Sequence, residues 1–225
     1  MKRFFGLLNL LLIIAVLAWD VRYIQHGTLR IKTITSMLFT SIGAVNLVYA
    51  FAARRKKLYP AVILAGLCFA MAGDIGLHYS FVRGAMLFGL GHVLYLISFC
   101  ILMKPKTADL LPFAILFIGA SVLLLGYKRF HFGSTAMRNI CLVYAFIISL
   151  MTGKAVSNFI RCRNALFAIA AIGSILFFVS DLMLALYKFA RMPHYVDTLC
   201  LAFYYPGQCV LGLSTYMCVR RAAKP

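Results

Sequence analysis

Apolar runs of membrane length follow one another along the whole chain, separated only by short basic loops. A chain built this way has few options. Backbone polar groups inside a bilayer must be satisfied within the protein, so only helices or a closed barrel can cross. Barrel strands alternate over about ten residues, whereas these runs are apolar throughout for about twenty. Eight spans are predicted, over 4–23, 31–53, 59–81, 84–103, 110–126, 138–159, 164–187 and 196–219. The expected fold is an all-α integral membrane protein, an eight-transmembrane-helix bundle forming a single domain over 1–225. Composition agrees: 64% of residues are hydrophobic, 12% are charged and the mean hydropathy is +0.94, beyond the range of soluble domains. The first run, behind Lys2 and Arg3, also has the outline of a signal peptide with a cut after Ala18. The spans that follow it favour an uncleaved anchor.

The charge pattern orients the bundle. A formal charge of +18 arises from 23 Lys and Arg against five acids, all Asp, and the basic residues lie almost wholly between the apolar runs. That placement suits anionic headgroups, so membrane lipids are the expected partners. Nucleic acid is disfavoured, because no soluble segment interleaves a basic stripe with aromatics. The larger share of the basic residues, led by Arg54, Arg55, Lys56 and Lys57, falls on the side of the N-terminus, which places both termini in the cytoplasm. The membrane is expected to be the plasma membrane in a bacterium and the endoplasmic reticulum in a eukaryote. The seven cysteines are scattered without a CxxC pair and read as small apolar packers.

Two carboxylates stand well inside these runs. Asp74 follows AVILAGLCFAMAG, and Asp181 sits in FFVSDLMLALYKF. Holding such a group in hydrocarbon costs about 2.5–3.5 kcal/mol on insertion scales, so a compensating function or partner is expected. At a rise of 1.5 Å per residue, Asp74 lies about 22 Å and Asp181 about 25 Å from the inner ends of their spans. Both therefore occupy the outer half of the bilayer. Gly66 precedes Asp74 by the interval at which Gly173 precedes Asp181, which suggests two four-helix parallel repeats and carboxylates that face each other. Paired carboxyls in an apolar pocket share protons, so one serves as acid and the other as base. The plainer alternative is that each only satisfies a polar group on a neighbouring helix.

Other polar residues fall in the same layer. His92, in FGLGHVLYLISF, shares a helical face with Tyr95, while Tyr204 and Gln208, in FYYPGQCVLGLS, are one turn apart on the last span. Interhelical bonding and an aromatic belt are their ordinary explanations. Lys32 and Thr35 open the second span at the outer surface, where an ammonium and a hydroxyl could hold a phosphate or simply snorkel. Arg83 and Lys188, close after the two aspartate spans, are lesser candidates of the same kind. Histidine spacing offers no HxxxH or HExxH, and no phosphate loop or nucleophile elbow is present, so neither a metal nor another cofactor is expected.

These segments together resemble the YhhN-type lysoplasmalogenase family over nearly the whole chain. The matching pieces are KTITS from Lys32, GDIGL from Gly73, the F-x-x-G-H-x-x-Y-x-x-x-F set from Phe88 to Phe99, YAFIISLM from Tyr144, SDLMLALYKF from Ser180, and YYPGQ from Tyr204. Thr33 departs from the family, which usually has Pro directly after the lysine. The resemblance implies an eight-helix hydrolase that cleaves the vinyl ether bond of lysoplasmalogens without a metal, giving a fatty aldehyde and glycerophosphoethanolamine or glycerophosphocholine. It implies Asp74 and Asp181 as the catalytic pair. Lys32, Thr35, His92, Tyr95, Tyr204 and Gln208 are the expected substrate-binding residues, and a lysophospholipid the expected partner. Two rivals remain. An aspartyl intramembrane protease would need GxGD, YD and PAL motifs, where this chain has AGD, SD and no PAL. A proton-coupled transporter or lipid-binding membrane protein would use the same acids to carry protons.

Overall fold

In a computed structural model the chain is all-helical over the described residues, 1–221. Eight helices follow in order: α1 Lys2–His26, α2 Leu29–Ala52, α3 Leu58–Tyr79, α4 Phe81–Leu102, α5 Leu110–Gly126, α6 Thr135–Arg161, α7 Ala165–Phe189 and α8 His194–Arg221. A 3-10 turn, Thr107–Asp109, leads into α5. Local chemistry sets several boundaries. Gly27, at φ 63°, takes the left-handed conformation that ends α1, and Thr28, Ser134 and Asn164 cap α2, α6 and α7 by accepting from free backbone N–H groups.

Helices α1 to α7, with α5 counted together with the 3-10 turn before it as Thr107–Gly126, are long and apolar enough to cross a membrane, which makes the chain an integral, multi-pass membrane protein. By the same measure α8 falls short, although it has 28 residues. The expected count of eight spans is thus carried by seven helices on composition. Helix α8 packs against α7, α2, α1 and α3 and buries polar residues such as Gln208, Ser214 and Thr215 among them. Helix α5 is the opposite case. It packs on α6 and the turn before it, and turns Leu111, Ile115, Ile118 and Val122 outward.

The most intimate pairs are α3 with α4 and α7 with α8; α2 bridges α3 to α8, and α6 bridges α7 to α4. Lipid offers no hydrophobic drive between helices, so close approach and polar bonds hold the pairs together. At Gly66 the ring of Tyr95 lies where a Cβ would be, and at Gly173 a Cβ would come within 2.9 Å of Leu211. Amide side chains add specific ties. Asn9 and Asn46 donate to each other at 2.8 Å across α1 and α2, Asn46 also donates to the Gly212 carbonyl of α8 at 3.2 Å, and Asn158 donates to the Phe99 carbonyl of α4 at 2.9 Å. Lys154, a basic residue outside every sequence motif, is buried in α6 and pairs with Asp109 at 2.7 Å, with Arg161 on the other carboxylate oxygen at 3.1 Å. That cluster ties the start of α5 to α6.

Gly153 is where α5 comes nearest. A Cβ there would stand 2.6 Å from the Phe113 backbone nitrogen and 2.7 Å from its Cα, and backbone cannot step aside as a side chain can. Gly153→Val is therefore expected to lower thermal stability in detergent by about 1–3 kcal/mol, the ordinary cost of overpacking. An unchanged melting temperature would mean that α5 is not seated on α6 as described.

Candidate active site

Asp74 and Asp181 open on one chamber of about 440 Å3. Asp74 lies on the last turns of α3 and is itself buried. Helix α2 brings Lys32 and Ser36, one turn apart, to this carboxylate. The Lys32 ammonium stands 3.4 Å from Asp74 Oδ1, and Ser36 donates to Oδ2 at 2.5 Å. From α8, Tyr204 donates to the same Oδ2 at 2.8 Å. Its ring is fixed edge-on against Phe39, Phe88 and Phe177, so the hydroxyl has little freedom. Lys32 also lies over the Tyr23 ring, at 5.8 Å. These contacts offset the cost of the acid by pairing and hydrogen bonding rather than by exposure.

Asp181 meets different groups. Tyr144 of α6 donates to its Oδ2 at 2.6 Å, and His92 Nε2 of α4 is 2.8 Å from the Tyr144 oxygen and 3.4 Å from the same carboxylate oxygen. The imidazole packs on Phe177 and is fully buried, and its Nδ1 has no partner among the described residues.

A second cavity adjoins the chamber. It is a narrow apolar slot of about 60 Å3, with Ala85, Ala120, Ala145 and Ile148 among its walls. Leu77, Phe81, Phe88, Asp181 and Leu184 line both spaces, so Asp181 stands where polar and greasy volumes meet. Small side chains make the slot: alanines from α4, α5 and α6 leave room that larger residues would fill.

The structure brings Lys32, Asp74, Asp181 and Tyr204 to the chamber wall and sets His92 behind Asp181. The other expected binding residues lie elsewhere. Thr35 is fully buried and donates to the Ile31 carbonyl. Tyr95 donates to Gln208 Oε1 at 2.9 Å, and this buried pair joins α4 to α8 away from the chamber lining. Lys188 lines the chamber, whereas Arg83 is exposed and lines neither space. Sequence reasoning singled out neither Ser36 nor Tyr144 as a site residue. Each is a lone hydroxyl at the depth of the acids, but serine and tyrosine are common in membrane helices and give no warning by themselves. Asp20, placed at a span end by hydropathy, is 5% exposed, and its Oδ1 has no partner among the described residues. Among those residues, no three His, Cys, Asp or Glu side chains converge on a point that could hold a metal ion.

Comparison with known proteins gives one finding. A family model described as the YhhN family matches residues 28–215, a stretch that includes every chamber residue named above except Tyr23. No curated protein and no solved structure matches the chain.

Proposed function

The chain belongs to the YhhN family, and from that premise and the two-carboxyl chamber we propose that it is a membrane hydrolase of lysoplasmalogen-type vinyl ethers. The observation that carries this reading is the junction of a polar chamber with an apolar slot at Asp181, beside a second acid that line the same chamber. A lysophospholipid has that same division. Its phosphate headgroup suits the chamber, near Lys32 and Lys188, and its single alkenyl chain suits the slot and the lipid beyond α5. In this reading α8 crosses the membrane with the other seven helices, and both termini lie in the cytoplasm. The equivalent roles of α2 and α6, and of α8 and α4, support two four-helix repeats related by a pseudo-two-fold axis.

The chemistry needs an acid and a base, and no nucleophile. One carboxyl transfers its proton to the β-carbon of the vinyl ether, and the ether oxygen shares the positive charge left on the α-carbon. Water adds to that carbon and gives its proton to the other carboxylate. The hemiacetal then breaks its bond to the glycerol oxygen. Its hydroxyl proton returns to the first carboxylate, the glycerol oxygen takes the proton from the second acid, and both groups are restored.

The test is direct. Purified protein supplied with lysoplasmenylethanolamine should release fatty aldehyde and glycerophosphoethanolamine, and should leave the saturated alkyl ether intact, because that bond cannot be protonated at carbon. Folded protein that releases no aldehyde from either ethanolamine or choline forms would overturn the reading. Substrate-dependent proton flux in liposomes without product would favour a transporter instead.

The slot makes a separate prediction. Ala145→Phe should fill it and reduce turnover of long-chain substrate by roughly tenfold or more, the scale of a few lost apolar contacts. A short, soluble vinyl ether should be cleaved as before. Equal losses on both substrates would place the chain elsewhere.

A further inference from the structure

Resting on the hydrolase reading, we propose that the two carboxyls have fixed and different tasks: Asp181 is the proton donor, with Tyr144 and His92 as its positioning residues, and Asp74 is the charged partner. Lys32 and Asn46 on α2 stand at the same interval as Tyr144 and Asn158 on α6. Asn46 donates to the Gly212 carbonyl of α8, and Asn158 donates to the Phe99 carbonyl of α4. Each acid is thus met by a corresponding pair of helices, Asp74 by α2 and α8, Asp181 by α6 and α4. The helices correspond, but the side chains they deliver do not.

On one side the delivered groups are an ammonium and two hydroxyl donors, all aimed at Asp74. Every one of them favours a carboxylate. On the other side Asp181 receives the Tyr144 hydroxyl on Oδ2, with His92 behind it. With the Tyr144 hydrogen donated to Asp181, the tyrosine oxygen is left to accept from His92 Nε2. The imidazole is fully buried, and its Nδ1 has no partner among the described residues.

Charge counting completes the case. Lys188 and Asp197 also line the chamber and balance in number, which leaves Lys32, among the described residues, as the one remaining Lys or Arg of the lining beside Asp74 and Asp181. A second anion here would have no Lys or Arg beside it, and an unpaired charge in a largely buried position, 12% exposed for the Asp181 side chain, is unfavourable. The proton therefore stays on Asp181, the acid without a cation. Its Oδ2 accepts from Tyr144, which leaves Oδ1 to present the proton at the junction of slot and chamber, where the vinyl ether carbon would lie. After transfer, the same Tyr144 and His92 hydrogens stabilise the new carboxylate. That interaction is stronger in the transition state than before it, which is what catalysis requires.

Infrared spectroscopy of the whole protein in an ester-free detergent tests the assignment without reference to activity. The stretch of a protonated carboxyl is separate from that of a carboxylate. Because buried Asp20 could contribute a band of its own, the comparison is made in an Asp20→Asn background. The band should be present there at neutral pH and disappear in Asp181→Asn. Tyr144→Phe should move it to higher wavenumber by removing its hydrogen bond, and serves as the reporter should Asp181→Asn not fold. A band that is absent at the start, survives Asp181→Asn, or ignores Tyr144→Phe overturns the proposal. Activity gives the second readout: Tyr144→Phe should lower kcat about tenfold or more with KM little changed. If no variant or parent cleaves any vinyl ether while the infrared pattern holds, the hydrolase reading fails and the division between the acids stands.

Discussion

Asp74→Asn and Asp181→Asn are each expected to lower aldehyde release by roughly 10²- to 10⁴-fold, the range that a positioned acid or base contributes. The amide keeps the size of the side chain, so both variants should still fold. Asn at 74 can still accept from Ser36 and Tyr204 on its carbonyl oxygen, but its amide hydrogens point at the Lys32 ammonium, where Asp74 Oδ1 now stands at 3.4 Å. Asn at 181 keeps an acceptor for Tyr144 and has no acidic proton to give. The losses should not multiply in the double variant, because groups that act in one reaction are not additive. Full activity in both single variants, measured with lysoplasmenylethanolamine and detection of the aldehyde, would dispose of the pair. Loss confined to Asp181→Asn would mean that another group activates the water, and loss confined to Asp74→Asn that another group donates the proton.

The second large effect concerns Lys32. In the sequence this residue reads as a headgroup contact, whereas its ammonium lies on Asp74 and over the Tyr23 ring. Lys32→Met removes the cation and leaves a buried carboxylate. Breaking such a pair costs about 3–5 kcal/mol, unless Asp74 takes up a proton and loses its function instead. Either route should reduce kcat strongly, and thermal unfolding will separate the two. Lys32→Arg should restore stability in part, although the planar fork of arginine does not fit a site made for a point charge. If Lys32 only held phosphate, Lys32→Met would raise KM and leave kcat and stability unchanged. That outcome would contradict the ion pair.

Much of this arrangement could be read before any coordinates. The layer containing Asp74, Asp181, Tyr204 and His92 follows from hydropathy, alternating helix direction and the rise per residue, because helices of similar length in one bilayer share a depth scale. Azimuth does not follow from depth. Gln208 and Tyr95 lie in the expected layer, yet they turn toward each other and bond at 2.9 Å, joining two helices rather than lining the chamber. Thr35 likewise satisfies its hydroxyl on its own helix, at the Ile31 carbonyl, one turn back. Ser36, its neighbour, faces Asp74 because a step of one residue turns the side chain by roughly a quarter of the helix circumference. Helix α8 shows the same limit in another form. Its composition is too polar for a lone span, and only its packing against four other helices explains how that polarity is accommodated.

The sequence alone determined that this chain is a helical membrane protein, that it carries two acids within apolar helices and that its segments resemble one family. Those properties are sums over residues, and lipid acts on each helix separately. Only the tertiary structure decided which groups each acid meets: an ammonium and two hydroxyls at Asp74, a tyrosine backed by an imidazole at Asp181. Partners are chosen by the rotation and close approach of helices distant in sequence, set by contacts such as Gly66 on Tyr95 and Gly173 on Leu211, and no local property of the chain encodes them.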